Sequence, residues 1–163
     1  MPVTGTLKPI LTGALLVAAA FLVVRQVREF AAPADRVFFY DLSAEKLFAA
    51  PRASIPPIRG VDGREEDAMR AVVVSTNGRP AEKSSWQVAY LERFSPELKR
   101  QMEEARTTGE PPAMGRTLAQ AHRFVRRVAD TNWHLMGTPE AEAIVNEWMT
   151  AGPDGGPATV FNP

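Results

Sequence analysis

The chain has 163 residues, with 19 basic and 19 acidic side chains, 14 prolines, 11 glycines and no cysteine. That is one domain's worth of chain, and its 45% hydrophobic and 23% charged composition excludes a disordered polyelectrolyte and a low-complexity fibre. Zero formal charge removes the usual electrostatic argument for non-specific nucleic-acid binding, and the lack of thiols excludes disulfides, thiolate zinc sites and cysteine nucleophiles.

The N-terminal part carries the strongest pattern. Residues 10–24 read ILTGALLVAAAFLVV, an uninterrupted apolar run between Lys8 and Arg25. A helix needs about 20 residues to cross about 30 Å of hydrocarbon. Residues 7–27 reach that length with Lys8, Arg25 and Gln26 near the ends, where long side chains snorkel to the headgroups. A cleaved secretory signal and a buried core helix are the competing readings. No convincing small-x-small cleavage site follows, because a cut after Ala32 places Phe30 at the outer small-residue position and Pro33 just beyond the cut. The resulting expectation is a membrane anchor over residues 1–29, with 7–27 in lipid, and a linker over 30–36. A folded domain over 37–151 and a flexible tail over 152–163 follow. Arg25, Arg28 and Arg36 lean towards a cytoplasmic domain. Short N-terminal anchors, however, commonly leave only a short tail in the cytoplasm, and the lack of cysteine suits export. A single-pass protein with its domain on the exported side is expected.

Strand chemistry begins at Val37-Phe38-Phe39-Tyr40, followed by turn formers at residues 41–45 and a second apolar run, Lys46-Leu47-Phe48-Ala49, which together predict a β-hairpin. Residues 51–63 (PRASIPPIRGVDG) hold three prolines and two glycines and predict a long loop. Pro56 and Pro57 suit either a polyproline segment offered to an aromatic groove or a connection along the domain edge with Ile55, Ile58 and Val61 against the core. The run Ala71-Val72-Val73-Val74-Ser75 is apolar on both faces and predicts a central strand; residues 86–92 (WQVAYLE) alternate as its neighbour. Ser95-Pro96-Glu97 starts a helix, with Leu98, Met102 and Ala105 on one stripe. Residues 117–129 fit a helix through Leu118, Ala121, Val125 and Val128, or a strand through Phe124 and Val128 with Arg126 between them; a strand over residues 122–129 is the preferred reading. Thr138-Pro139-Glu140 starts another helix, with Ala141, Ile144, Val145 and Trp148 on one face. The fold class expected is α+β: an antiparallel sheet of four to five strands with two packed helices behind the N-terminal transmembrane helix.

Candidate chemistry is sparse. His134 with Asp130, the distant His122 and the acids of residues 62–67 (DGREED) match no recognised metal-ligand spacing, and that acidic run lacks the alternation of a calcium loop, so no metal is expected. Neither a nucleophile elbow nor a phosphate-cradling glycine pattern is present, so no cofactor and no catalytic set are expected. Arg123, Arg126 and Arg127 form the densest basic feature; on a strand Arg123 and Arg127 share a face and could grip an acidic partner or lipid headgroups. Trp133, beside His134, and the loop carrying Pro56 and Pro57 could line a groove. The candidate interaction surface is therefore Trp133, His134, Arg123, Arg127, Pro56 and Pro57. The expected function is that of a non-enzymatic accessory or scaffold protein of the cell envelope, anchored in the membrane and acting through contacts with a protein partner. Two alternatives stay open: a domain binding a small ligand or envelope polymer, and a hydrolase using His134 and Asp130.

Overall fold

The structure, a computed structural model, describes residues 35–149 and 158–163. The expected anchor at residues 7–27 lies outside them; among the described residues no helix is long and apolar enough to cross a membrane.

The hairpin forms as its aromatic and β-branched residues predict. Strand β1 (Arg36–Asp41) pairs antiparallel with β2 (Lys46–Pro51), Arg36 opposite Pro51 and Asp41 opposite Lys46. The loop that follows returns to the sheet at Ile58, whose main chain exchanges hydrogen bonds of 2.9 and 3.0 Å with Ala68. Ile55 is buried, whereas Val61 is exposed, contrary to its expected place against the core. Strands β3 (Ala68–Ser75) and β4 (Trp86–Phe94) follow, then helix α1 (Pro96–Thr108). Residues 117–129 satisfy both sequence patterns in turn, with a short helix α2 (Arg116–Gln120) leading into β5 (Arg123–Arg126). After β6 (His134–Leu135) and helix α3 (Pro139–Glu147), β7 (Thr159–Phe161) completes the described chain.

These elements make an α+β domain with a seven-stranded antiparallel sheet, ordered β2-β1-β3-β4-β5-β6, and β7 also paired to β3. The expected four to five strands and two helices were too few. Strands of two and three residues and a five-residue helix span no more than about one and a half periods, too little for a repeat to show in the sequence. The expectation of a flexible tail over residues 152–163 is corrected at its end. Phe161 sits 5.0 Å from Trp86 and 5.6 Å from Phe38, ring centre to ring centre, and Phe38 sits 5.4 Å from Trp86. Such aromatic packing offsets the entropy of ordering a terminal strand.

β3 is central, as its two-faced apolar run predicts. The sheet has one helix-covered face, where Leu98 of α1 packs with Phe94 and Ile55, and Ala141 and Ile144 of α3 pack with Tyr90 and Val125. The opposite face carries Phe38, Met69, Ala71, Val73 and Leu91, bordered by Tyr40, Leu47, Trp86, Val88 and Trp133. A bulge at Ala89 lets Trp86, Val88 and Leu91 share that face, because Val72 pairs with Tyr90 but Val73 pairs with Val88. Burying Phe39, Leu91 and Ile144 contributes about 1.5–3 kcal/mol each.

Both expected helix starts form. Ser95 Oγ accepts from the Leu98 amide at 3.1 Å and Thr138 Oγ1 from that of Ala141 at 3.3 Å, in each case just before a proline in the first turn. The end of β1 is held by Asp41, a fully buried carboxylate that accepts from the Val61 amide at 2.6 Å, the Ala44 amide at 2.8 Å and Ser43 Oγ at 2.9 Å. These bonds, led by that of Ala44, outweigh burial and hold the Asp41 carboxyl below the usual aspartate range. Gly60 permits this approach: a Cβ there would stand 2.3 Å from Asp41 Oδ2.

Candidate functional site

Charged side chains enter the sheet on both faces. On the helix-covered face Arg70 stands opposite Glu92 in the β3–β4 register, and Arg123 Nη2 lies 3.5 Å from Glu92 Oε1. Arg70 also donates to the main-chain oxygens of Arg52 and Ser54, at 3.2 and 3.1 Å. Burial lowers the Arg70 pKa from its ordinary value, and Glu92 partly restores it. The Tyr90 phenol is pushed up to about 12, by burial first and by the Glu92 charge second. The set places two guanidiniums around one carboxylate, with the Nε of both arginines buried and without a partner.

The opposite face has another pair of guanidiniums. Arg93 and Arg126 lie 4.5 and 5.0 Å from the Trp133 ring centre, and Arg93 also lies 5.5 Å from that of Phe124. Register explains the cluster: Arg93 is directly opposite Phe124, and Leu91 opposite Arg126, so all four share the face to which Trp133 folds back. Neither guanidinium forms an ion pair with a described carboxylate. Arg126 donates to the main-chain oxygen of Asp130, and its Nε is buried without a partner. Burial lowers the pKa of both arginines from the ordinary value, and the Arg126 charge lowers that of Arg93 further. Arg93 and Phe124 also line a cleft of about 390 Å³ with Pro57, Glu66, Phe94, Ser95, Pro96 and Lys99, Glu66 being paired with Lys99. Stacked guanidiniums with free donor edges recognise planar oxyanions, and the aromatic rings hold them in place for it.

Comparison of the chain with protein-family models, curated proteins and solved structures finds no match.

The six sequence-predicted surface residues are divided by the fold. Trp133 is the centre of the arginine stack, and Pro57 forms a wall of the adjoining cleft. Pro56 is instead buried, with its main-chain oxygen accepting from the Phe94 amide at 3.3 Å. Arg123 belongs to the helix-covered network, and Arg127 pairs with Glu147 of α3 at 2.6 Å and with Asp130 at 3.2 Å. His134 stands opposite Val125, on the helix-covered face. No hydrogen bond joins His134 to Asp130, whose carboxylate is engaged by Arg127, and His122 Nδ1 lies 2.8 Å from Ser95 Oγ. The acids of residues 62–67 scatter: Asp62 meets Arg64, Glu66 meets Lys99 at 2.5 Å and Asp67 accepts from the Ser43 amide. Among the described residues no three histidines or acids converge as metal ligands.

Sequence reasoning missed Arg93. Its signal was its place two residues after Leu91 in an alternating strand, which puts a charge on an apolar face. Arg126 was visible on the side of Phe124 and Val128, but its partner Trp133 comes from beyond the strand.

Proposed function

We propose that the protein is a non-enzymatic binding module, anchored in the membrane through residues 7–27, whose domain stands on the exported side and acts as an accessory or scaffold subunit through contact with another protein. The supporting observation is the Arg93–Trp133–Arg126 stack: two half-buried guanidiniums around one indole, neither in an ion pair with a carboxylate among the described residues. Charge left unbalanced on an apolar face costs stability, and such a cost is offset where a partner supplies the complementary group. The apolar run of residues 10–24 supports the anchor.

The test is purification of the full-length chain from native membranes in mild detergent, with intact-mass measurement. The expected result is a chain retaining residues 1–30 in a stoichiometric complex that survives gel filtration. A chain beginning near Ala34 and running alone would overturn the anchor and the accessory role together. The cleft beside Arg93 supports a second reading, a small-ligand or envelope-polymer site bounded by Phe94, Phe124, Pro57 and Lys99; this reading gains if the chain is recovered alone.

A further inference from the structure

Resting on the binding-module reading, we propose that Arg93, Trp133 and Arg126 form a carboxylate-binding site for an extended acidic segment of the partner protein, one in which acidic and apolar side chains alternate.

Three observations converge on that occupant. The first is charge. Two guanidiniums share one indole, at 4.5 and 5.0 Å from its centre, and neither has a described carboxylate partner. Asp130 accepts from Arg126 through its main-chain oxygen, while its carboxylate is engaged by Arg127 and reaches Arg126 only as a charge through space. The comparable pair on the other face, Arg70 and Arg123, has Glu92. A carboxylate supplied from outside takes the place on this face that Glu92 holds on the other.

The second observation is geometry. Stacking fixes each guanidinium plane against a ring, so its N–H edge is presented in a set direction before any ligand arrives. A carboxylate accepts two parallel N–H bonds from such an edge, an arrangement a flexible ammonium does not reproduce.

The third is the apolar border. Tyr40, Leu42 and Val128 pack on the same cluster as Trp133, and Phe124 and Leu135 stand opposite one another on that face. A bare inorganic anion or a lipid headgroup has nothing to place on these side chains. In an extended peptide alternate residues point the same way, about 7 Å apart, so a segment that lays its acidic row on the guanidiniums keeps its apolar row together on the other side, available to the border where the chain turns at its ends. The cleft next to Arg93 and Phe124 gives an apolar side chain a place to enter.

The experiment uses the full-length chain in neutral detergent and a fluorescent synthetic peptide of repeating Glu-Val, read by anisotropy. Repeating Lys-Val, inorganic phosphate and phosphatidylglycerol vesicles serve as comparison probes. Saturable binding of Glu-Val that weakens with salt, and that falls about tenfold or more in Arg93→Gln and in Arg126→Gln, is the expected result. Lys-Val does not bind. Arg93→Lys and Trp133→Phe keep the charge and a ring and guard against simple misfolding; each is expected to retain the wild-type melting profile and to bind more weakly. The assignment is overturned if Glu-Val fails to bind, if it binds equally to the Arg93→Gln/Arg126→Gln double variant, or if phosphate or the vesicles bind as well with the same arginine dependence. Loss of peptide binding alongside an intact membrane complex overturns this assignment alone. Peptide binding by a chain that purifies with no partner overturns the accessory reading alone.

Discussion

The two faces of the sheet each hold a pair of arginines, and the pairs differ in what balances them. On the helix-covered face Arg70 and Arg123 flank Glu92, beneath the layer to which α1 and α3 contribute Leu98, Ala141 and Ile144. On the opposite face Arg93 and Arg126 flank Trp133, and π-electron density stands where the carboxylate would be. A charge network inside a domain serves the fold, because its removal leaves an uncompensated buried ion. A cationic pair stacked on an aromatic ring, with neither member in an ion pair among the described residues, keeps charge available for something else.

Substitutions at the two faces should therefore diverge, and the divergence can be measured. The largest expected effect is at Glu92, which is almost wholly buried. Glu92→Leu leaves two guanidiniums facing each other's field and is expected to cost about 3 kcal/mol in denaturant unfolding. A cost near zero would mean that the helix-covered network is no more structural than the exposed stack, and the contrast would fail.

Asp41, at the β1 end of the same face, offers a second structural charge. Asp41→Asn replaces an acceptor oxygen with a donor among groups that already donate, and is expected to cost about 2 kcal/mol. The pH dependence has a definite sign. The folded-state pKa lies below the ordinary value of about 3.9, so the stabilisation is present above that value and is lost as pH falls through the lower folded one. Acid unfolding of the wild type should accordingly be steeper below about pH 4 than that of the variant; parallel acid profiles would remove Asp41 from the account.

A smaller effect is expected at the alkaline end. Tyr90 stays protonated in the folded state up to about 12, above its ordinary value of about 10. Its contribution is complete below the ordinary value and declines as pH rises from there towards 12. Ultraviolet titration should show a phenol ionising late, and that component should disappear in Tyr90→Phe. A late component that survives in Tyr90→Phe would remove Tyr90 from the account.

The smallest stability effect belongs to the stack. Arg93→Gln and Arg126→Gln each remove cation–π contacts on a half-buried surface and are expected to shift stability by less than about 1 kcal/mol while reducing acidic-peptide binding. A loss as large as that of Glu92→Leu would show that the stack is part of the fold's own support.

Much of the fold was legible because the signals were local. Val37 to Tyr40 with its turn, the two-faced valine run of β3, and the cap-proline-acid starts at Ser95 and Thr138 each act within a few residues, and each element formed where those residues stand. Of the six expected surface residues, only Trp133 and Pro57 reached the arginine stack or its cleft. Arg123 and Arg127 were read from a basic run that the β5 register divides: Arg126 goes to one face, while Arg123 goes to the other and Arg127 to Glu147 of α3. His134 was placed beside Trp133 because they are adjacent in sequence, but His134 enters β6 opposite Val125 on the helix-covered face, while Trp133, just before the strand, packs on the other.

The sequence by itself determined the α+β class, the central position of β3, the two helix starts and the apolar N-terminal run, since propensity, alternation and capping are properties of neighbouring residues. Only the tertiary structure decided that Phe161 would close onto Phe38 and Trp86, and that Arg93 and Arg126 would meet at Trp133. The first depends on a ring from the chain end finding two others across the sheet. The second depends on strand register and a single bulge, which set partners tens of residues apart and leave no periodic trace in the residues between them.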